Sequence, residues 1–429
     1  MKHLPRSLVV NFNSPELNYL ALALAESGSL CRYVRPYINK GRLWERALGS
    51  LPMLGKTYES TFGRRRIRDQ RLAGLTQEAG ILADLGAAVI GRMHSLPNAL
   101  RESGSYRLQE TIRHAIAREG RRLAPGAECV IAYVGFGLPA FEALKAHGTG
   151  KAVLNYPIAH HRHHRKIRQE EQEREPEFAS TWPSLDGWSA GYEEQIDQEI
   201  QVADIILVGS SYVRESFALE GVDPQKIVVA PYGVDLTNFS AGPARLAGAS
   251  KQFNAIFVGQ LSQRKGISYL LRGYRRFRKS DTRLTLVGNA PGSMAPFKPY
   301  ADLFRHVPHQ TRPALAQMYR ESDVFVFPTL LEGMPLVVLE AMACGLPVIV
   351  TANGPGDIVR DGIDGFVVPS RDEEAICDRL ERLYRDSELR AEMGRNACAR
   401  AHEFSWSAYT DRTQGVLAEL TSARDRAVA

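Results

Sequence analysis

Two glutamates bracket the apolar run "EGMPLVVLEAMACGLPVIV", residues 332–350, and chemistry can first be read from them. Glu340 stands among Val337, Val338, Leu339, Ala341 and Met342, where a carboxylate is costly to bury unless hydrogen bonds satisfy it. That cost points to a ligand; the bland alternative makes Glu332 a loop charge and Glu340 the partner of a nearby cation. A second group is "VGQLSQRKG", residues 258–266, where Gly259 lets backbone approach a bound group. Arg264 and Lys265 can there neutralise a departing anion, or else are solvated residues at a helix start. A third is "NYPIAHHRHHRKIRQ", which holds His160, His161, His163 and His164. With Arg162 and Arg165 interleaved and no cysteine or carboxylate beside them, these histidines make a poor ligand set, and no metal is expected.

The bulk numbers fit an ordinary folded protein. A chain of 429 residues has room for two or three domains. At 44% hydrophobic and 24% charged residues the composition excludes a chain dominated by disorder. The formal charge of +6 favours phosphate-bearing partners, whether nucleotide, lipid headgroup or nucleic acid. Cys31, Cys129, Cys344, Cys377 and Cys398 are scattered without a C-x-x-C pair, which argues against a disulfide framework or a zinc site. The opening "MKHLPRSLVVNFNSPE" has too short an apolar run for an export signal, so a cytoplasmic location is expected. No run of about 18 uncharged apolar residues occurs, which leaves only peripheral membrane contact.

The elements that must position these residues alternate. A strand "SLVVNF" is followed by the helical pattern "ELNYLALALAES", with Leu17, Leu20, Ala21 and Leu24 on one face. The alternation resumes with "ECVIAYVGFG", "KAVLNYPI", "DIILVG" and "KIVVAPYG" as strands, after a long, basic, helical insert at about 36–125. "LTNFSAGPARLAGASKQ" reads as a linker, and a second series then begins with "FNAIFVG", "RLTLVG", "DVFVFP", "PVIVT" and "GFVVP" as strands. Strands alternating with helices predict two doubly wound parallel-sheet α/β domains, with ligands at the carboxyl ends of the strands. The expected domains are 1–240, 241–404 and a C-terminal helix 405–429 that packs back on the first.

Within that frame Gly333 and Pro335 start a helix whose free N–H groups attract phosphate. Glu340, about one and a half turns on, is placed to accept two hydroxyl hydrogen bonds from a ribose diol, with Glu332 in the loop beside a reacting sugar. The stretch resembles the signature of the family 4 glycosyltransferases (glycosyl transferases group 1), retaining enzymes of the GT-B fold. Seven residues separate the two glutamates, "EAMACGLPVI" follows, and "ADIILVGSSYVRESFALEGVDPQKIVVAPYGVDLTNF" and "FVGQLSQRKGI" precede them in the order the family shows. The resemblance runs from about residue 195 to 406.

The resemblance implies transfer of a sugar from a nucleotide diphosphate-sugar to a hydroxyl acceptor, with retention and without a catalytic metal or cofactor. It places Glu332, Lys265 and Arg264 at the reacting centre with a histidine, either His160 or His161. The donor would be bound by Gly259, Gln260, Gly288, Asn289, Val307, Gly333, Met334, Pro335, Leu336 and Glu340, with "NAPGS" and "HVPHQ" lining the sugar and base pockets. In similar enzymes an arginine usually follows the glycine that Gly259 matches; here that residue is Gln260, and Arg264 is the candidate to supply the charge.

Asn13, Arg162, His163 and His164 are the candidates for the acceptor, although the first loop, "NFNSPELNYL", lacks the glycines usual in similar enzymes. The acceptor is expected to be a saccharide or lipid-linked saccharide, as in polysaccharide or glycolipid assembly at the inner face of a membrane. "FGRRRIRDQRLAG" beside "LWERALGSLPMLG" fits either an interfacial helix on anionic lipid or a solvated basic face. No nucleic-acid motif accompanies the charge. The rival readings are a nucleotide-sugar epimerase on the same fold, which usually lacks the glutamate pair, and a non-catalytic sugar- or nucleotide-binding protein.

Overall fold

The structure is a computed structural model that describes residues 3–50, 65, 67, 69–90, 98–148, 150–182, 191–242, 252–291 and 293–428. It forms two compact units: Met1–Tyr156 with Asp186–Leu207 and Thr410–Ala429, and Pro157–Leu185 with Val208–Tyr409. Residues 157–185 and 208–240, assigned to the first domain on sequence, therefore count with the second unit.

The first unit is built on β1 (Ser7–Val10), β2 (Leu30–Arg35), β3 (Thr76–Glu78), β4 (Cys129–Tyr133), β5 (Lys151–Asn155) and β6 (Ile205–Val208). They pair in parallel in the order β3-β2-β1-β4-β5-β6. Helix Pro15–Glu26 buries Leu17, Leu20, Ala21 and Leu24 fully, the face that its apolar spacing predicts. The insert at 36–125 is not wholly helical, because Thr76–Glu78 pairs with β2 in the register Tyr33↔Thr76. Three residues are too few to show a period of two, and the edge of β2 supplies the order that their own sequence lacks. Of the basic stretch 62–74, read as an interfacial helix or a solvated face, residues 62–64, 66 and 68 lie outside the described residues, while Gln70–Leu75 is a short helix capped by Asp69, which accepts from Leu72 N–H.

The second unit holds the short β7 (Ile227–Val229) and a six-stranded sheet of β8 (Phe253–Val258), β9 (Thr282–Val287), β10 (Phe304–Val307), β11 (Val324–Phe327), β12 (Val348–Thr351) and β13 (Gly365–Val368). Its order is β10-β9-β8-β11-β12-β13, all parallel. The central β11 and β12, "VFVF" and "VIVT", are buried at every residue, as strands covered on both faces require. β10 is an edge strand with Arg305 and His306 exposed, and that polar content hid it from sequence reasoning. The winding reverses between β8 and β11, so the loops after these two strands flank the crevice where open α/β sheets bind ligands.

Candidate functional site

After β8 the chain makes an exposed turn at Gln260, then a single 3-10 turn, Gln263–Lys265, closed by Gly266 at φ +70°. A Cβ on Gly266 would lie 1.9 Å from the Pro328 carbonyl oxygen, so only glycine permits this approach to the loop after β11. Across that approach Leu330 N–H donates to the Arg264 carbonyl at 2.9 Å, and Thr329 Oγ1 donates to the same oxygen at 3.1 Å. The side chains converge as well. Arg264 Nη1 donates to the Leu331 carbonyl at 3.0 Å and to Glu332 Oε1 at 2.5 Å, and Lys265 Nζ pairs with the same carboxylate oxygen.

Two cations and one carboxylate thus meet at the switch point and leave one positive charge over. Burial lowers the Arg264 pKa to about 10, which keeps it charged at neutral pH. Burial and the adjacent Arg264 charge push Lys265 well down, against which its contact with Glu332 favours the ammonium form. Lys265 also lies 5.0 Å from the ring centre of Phe327 at the end of β11. Such a half-neutralised pair of basic groups, Lys265 buried and Arg264 partly so, is suited to an incoming polyanion.

The neighbouring strand ends complete one rim. Gly259 N–H donates to Val287, Leu261 N–H to Asn289 and Gly288 N–H to Val307, at 2.9, 3.0 and 2.9 Å, so the ladder of the sheet extends past its strands. His306 Nε2 donates to the Gly288 carbonyl at 2.8 Å. Asn289 and Gln260 are exposed.

Glu340 sits apart from this cluster, on helix Leu336–Ala343, which follows Pro335 without a side-chain cap. It is half-buried beside the fully buried Tyr319, whose hydroxyl donates to the Val337 carbonyl at 3.3 Å and reaches the Glu340 carboxyl. Burial raises the Glu340 pKa from 4.5 to about 7, with Arg312 and Tyr319 pulling it down and Asp235 adding to the rise. A carboxyl held at that balance gains from ligand hydroxyls that donate to its ionised form. Gly333 and Met334 are both buried: Ser210 Oγ donates to the Gly333 carbonyl at 2.6 Å, and Tyr232 N–H approaches Met334 Sδ at 2.8 Å.

The histidine run is a helix, His161–Arg174, capped by His160 Nδ1, which accepts from Arg162 N–H at 3.3 Å. The alternative of an exposed basic loop is thereby corrected, since the cap starts a helix that carries the run on its first turn. His160 is 1% exposed, stacks on His161 at 4.4 Å and meets the edge of Phe217. Burial first, then the charges of His161, Arg162 and His163, lower its pKa to about 3 and keep it neutral. His164 stacks on Trp182 and accepts from its Nε1 at 3.2 Å. Burial, then the nearby Arg264, Arg168 and His163, hold it down at about 4. His163 meets Tyr212 OH at 3.2 Å, while Arg162 is exposed. Asn13 lies in the other unit, exposed in the turn after β1.

Of the residues expected from sequence, Glu332, Arg264 and Lys265 are brought into direct contact. Those that sequence reasoning missed are buried polar groups. Glu171, Gln263, Tyr319 and Trp182 in the second unit all join hydrogen bonds close to site residues. In the first unit, Glu199 accepts from the N–H groups of Gly135, Gly137 and Leu138 at 2.6, 2.8 and 3.0 Å. Burial raises its pKa to about 6 against those bonds. The one available signal was Glu199, which shares a face of helix Tyr192–Val202 with Tyr192, Ile196 and Ile200, where the period calls for an apolar residue.

Comparison with known proteins bears on this arrangement. Residues 252–386 match the family Glycosyl transferases group 1. The D-inositol 3-phosphate glycosyltransferase of Paenarthrobacter aurescens (strain TC1) is 32% identical over 203 residues, 43% of this chain and 50% of that protein. The protein of the same name from Actinosynnema mirum is 33% identical over 253 residues, 53% of this chain and 60% of its own length. The chain thus spans between about half and three fifths of these curated relatives. Sucrose-phosphate synthase from Thermosynechococcus elongatus superposes with a TM-score of 0.64 at 18% identity, covering 97% of this chain and 99% of that one. Anabaena HepE, solved with UDP, superposes at 0.62 with 13% identity, covering 96% and 99%. At these identities the likeness concerns the fold, which is GT-B with two Rossmann-like parallel-sheet units.

Proposed function

We propose, from the match of residues 252–386 to the glycosyl transferases group 1 family, that the protein moves a sugar from a nucleotide diphosphate-sugar to a hydroxyl acceptor. The observation that carries the reading is the meeting of Arg264, Lys265 and Glu332 where the sheet order reverses. In this reaction the bond from the anomeric carbon to the diphosphate breaks, and its electron pair leaves on the diphosphate oxygen. A bond from the acceptor oxygen forms at the same carbon, and the acceptor proton passes to the leaving oxygen on the same face, so that configuration is retained.

Arg264 and Lys265 stabilise the charge that grows on the diphosphate, in a partly buried setting where each cation counts for more than it would in water. Glu332 takes hydroxyls of the donor sugar, and Glu340 those of the ribose. The work assigned to these side chains leaves no step that needs a divalent ion, so transfer is expected to persist in EDTA. The histidine of the reacting centre in this reading is His160, neutral and buried at the cap of its helix, or His161, which stacks on it.

The acceptor is a saccharide, a lipid-linked saccharide or a phosphorylated polyol of the kind that the relatives' names state, with a role in cell-surface polysaccharide or glycolipid assembly. Among the described residues no helix is long and apolar enough to cross a membrane. The membrane contact in this reading is peripheral, at the cytoplasmic face, through the basic insert of the first unit.

Calorimetric titration in EDTA with UDP, GDP, ADP and their sugar conjugates tests the donor site. Selective binding of one nucleotide, lost in Glu340→Ala, is the expected result. Failure of all of them to bind, with and without an acceptor mixture, would overturn the transferase reading.

A further inference from the structure

Glu171 is 1% exposed, yet its carboxylate meets a donor on every side. Gln263 Nε2 reaches Oε2 at 2.8 Å, Tyr269 OH reaches it at 3.1 Å, and Arg371 Nε reaches Oε1 at 2.6 Å. Arg371 spends a second donor on Glu170 at 2.9 Å and is the one described non-glycine residue at positive φ, +68°. A left-handed arginine persists only where its surroundings fix it, and here both of its carboxylate partners lie on helix His161–Arg174.

Gln263 is as well held as Glu171. Its backbone N–H donates to Thr181 Oγ1 at 2.9 Å and its amide to Ser268 Oγ at 2.8 Å, with 1% of its surface exposed. It is also the first residue of the 3-10 turn whose next two residues are Arg264 and Lys265. A turn of three residues has few bonds of its own, so its orientation follows from the groups that hold it: Leu330 and Thr329 on the Arg264 carbonyl at one side, and the partners of Gln263 at the other. Among the described residues the one charged partner of Gln263 is Glu171, on the helix that carries His161, His163 and His164 and is capped by His160, beside the neutral partners Thr181 and Ser268.

We propose that Glu171 is a positioning residue: through Gln263 it sets the direction in which Arg264 and Lys265 face a bound diphosphate. The proposal rests on the reading that these two cations hold the donor diphosphate. A buried charge whose neighbours are all donors tolerates little displacement, because any shift leaves one of them unpaired. Glu171→Gln places an amide N–H₂ against the Gln263 N–H₂ or the Arg371 guanidinium, donor against donor, and the turn must rotate to relieve it.

The test compares nucleoside diphosphate with nucleoside monophosphate. The wild-type chain is titrated calorimetrically with UDP, GDP and ADP, and the tightest binder is carried forward with its monophosphate. In Glu171→Gln the preference for diphosphate over monophosphate is expected to fall about tenfold, with monophosphate affinity unchanged within about twofold. Adding Gln263→Glu exchanges the two ends of the hydrogen bond, and the double variant is expected to recover most of the preference. Should Glu171→Gln not fold, Glu171→Asp, which keeps the charge but shortens the reach, carries the same expectation.

An unchanged preference in a folded single variant overturns the proposal. An equal loss for both nucleotides also overturns it, since that is what general loosening of the unit produces. A wild-type chain that binds no diphosphate removes the donor site itself, and the proposal falls with it. Binding by the wild type beside an unaltered Glu171 variant removes only the positioning role.

Discussion

Glu340 is the residue whose chemistry makes the most direct prediction. Burial holds its carboxyl at about 7, and a ribose diol can donate two hydrogen bonds only to the ionised form. Donor affinity is therefore expected to be highest above pH 7 and to fall about tenfold between pH 8 and pH 6, as the carboxyl takes up a proton. Glu340→Gln should bind more weakly and lose the pH dependence, which titration calorimetry at pH 6, 7 and 8 would show. The sign for stability is opposite: a carboxyl raised from 4.5 to about 7 binds its proton more tightly in the fold, so its contribution declines as pH rises across that interval. Lys265 offers a second prediction. Lys265→Ala removes a buried cation but leaves Arg264 on Glu332, so thermal stability should change by no more than a few degrees. Donor turnover should nevertheless fall about 10²–10³-fold, read as initial rates of nucleoside diphosphate release. Comparable losses of melting temperature and rate would assign Lys265 to the framework instead. The glutamate pair and the Arg264–Lys265 pair were legible in the sequence because their anomaly is local, charge set within apolar or glycine-bounded runs. Glu171 and Gln263 were not, since their bond joins residues 92 apart and neither breaks a local rule on its own.

At the scale of elements, strands and helices were legible where their periods run long enough. β8, β9, β11, β12 and β13 are apolar runs bounded by glycine, proline or polar residues, and each was expected. β2, β3 and β10 were not, and for β3 and β10 the cause is visible: these short or polar strands take their order from a neighbour. The loop after β11 shows what position adds to pattern. Gly333 has no left-handed backbone, so sequence reasoning could assign it only to a helix start. In the fold a Cβ there would lie 1.6 Å from the Pro157 carbonyl oxygen, and the contact is backbone on backbone. Gly333→Ala must therefore push the loop between Glu332 and Leu336 away from Pro157, at a cost of about 2 kcal/mol or more. Urea unfolding of the variant should show the loss, and nucleotide binding should weaken with it because Glu332 and the helix start move together. An alanine variant as stable as wild type would mean that Pro157 yields more readily than buried backbone ordinarily does.

At the scale of the whole molecule the second unit is discontinuous, and that limits where the chain can be cut. The composition break at 236–252 reads as a linker, and 241–404 reads as a self-contained domain. Yet the unit draws part of its interior from Pro157–Leu185 and Val208–Ser240. Phe178 packs on Phe297 at 5.7 Å and on Tyr300 at 5.9 Å, and Glu171 satisfies Gln263, Tyr269 and Arg371. Composition marks where a chain is free to bend, but it carries no record of which distant segment completes a core. A fragment 241–409 would expose the buried Phe297 and leave the partners of Glu171 without their acceptor. Each such group costs about 1–3 kcal/mol, against a net stability of about 5–15 kcal/mol for a typical domain. The fragment is therefore expected to melt well below the full chain, or without a cooperative transition, by far-UV circular dichroism. Supplying residues 157–240 ahead of it should restore cooperative melting of that unit. If instead 241–409 melts cooperatively at the temperature of the full chain, the segment from 157 to 240 is an accessory to that core and the boundary lies at the linker after all.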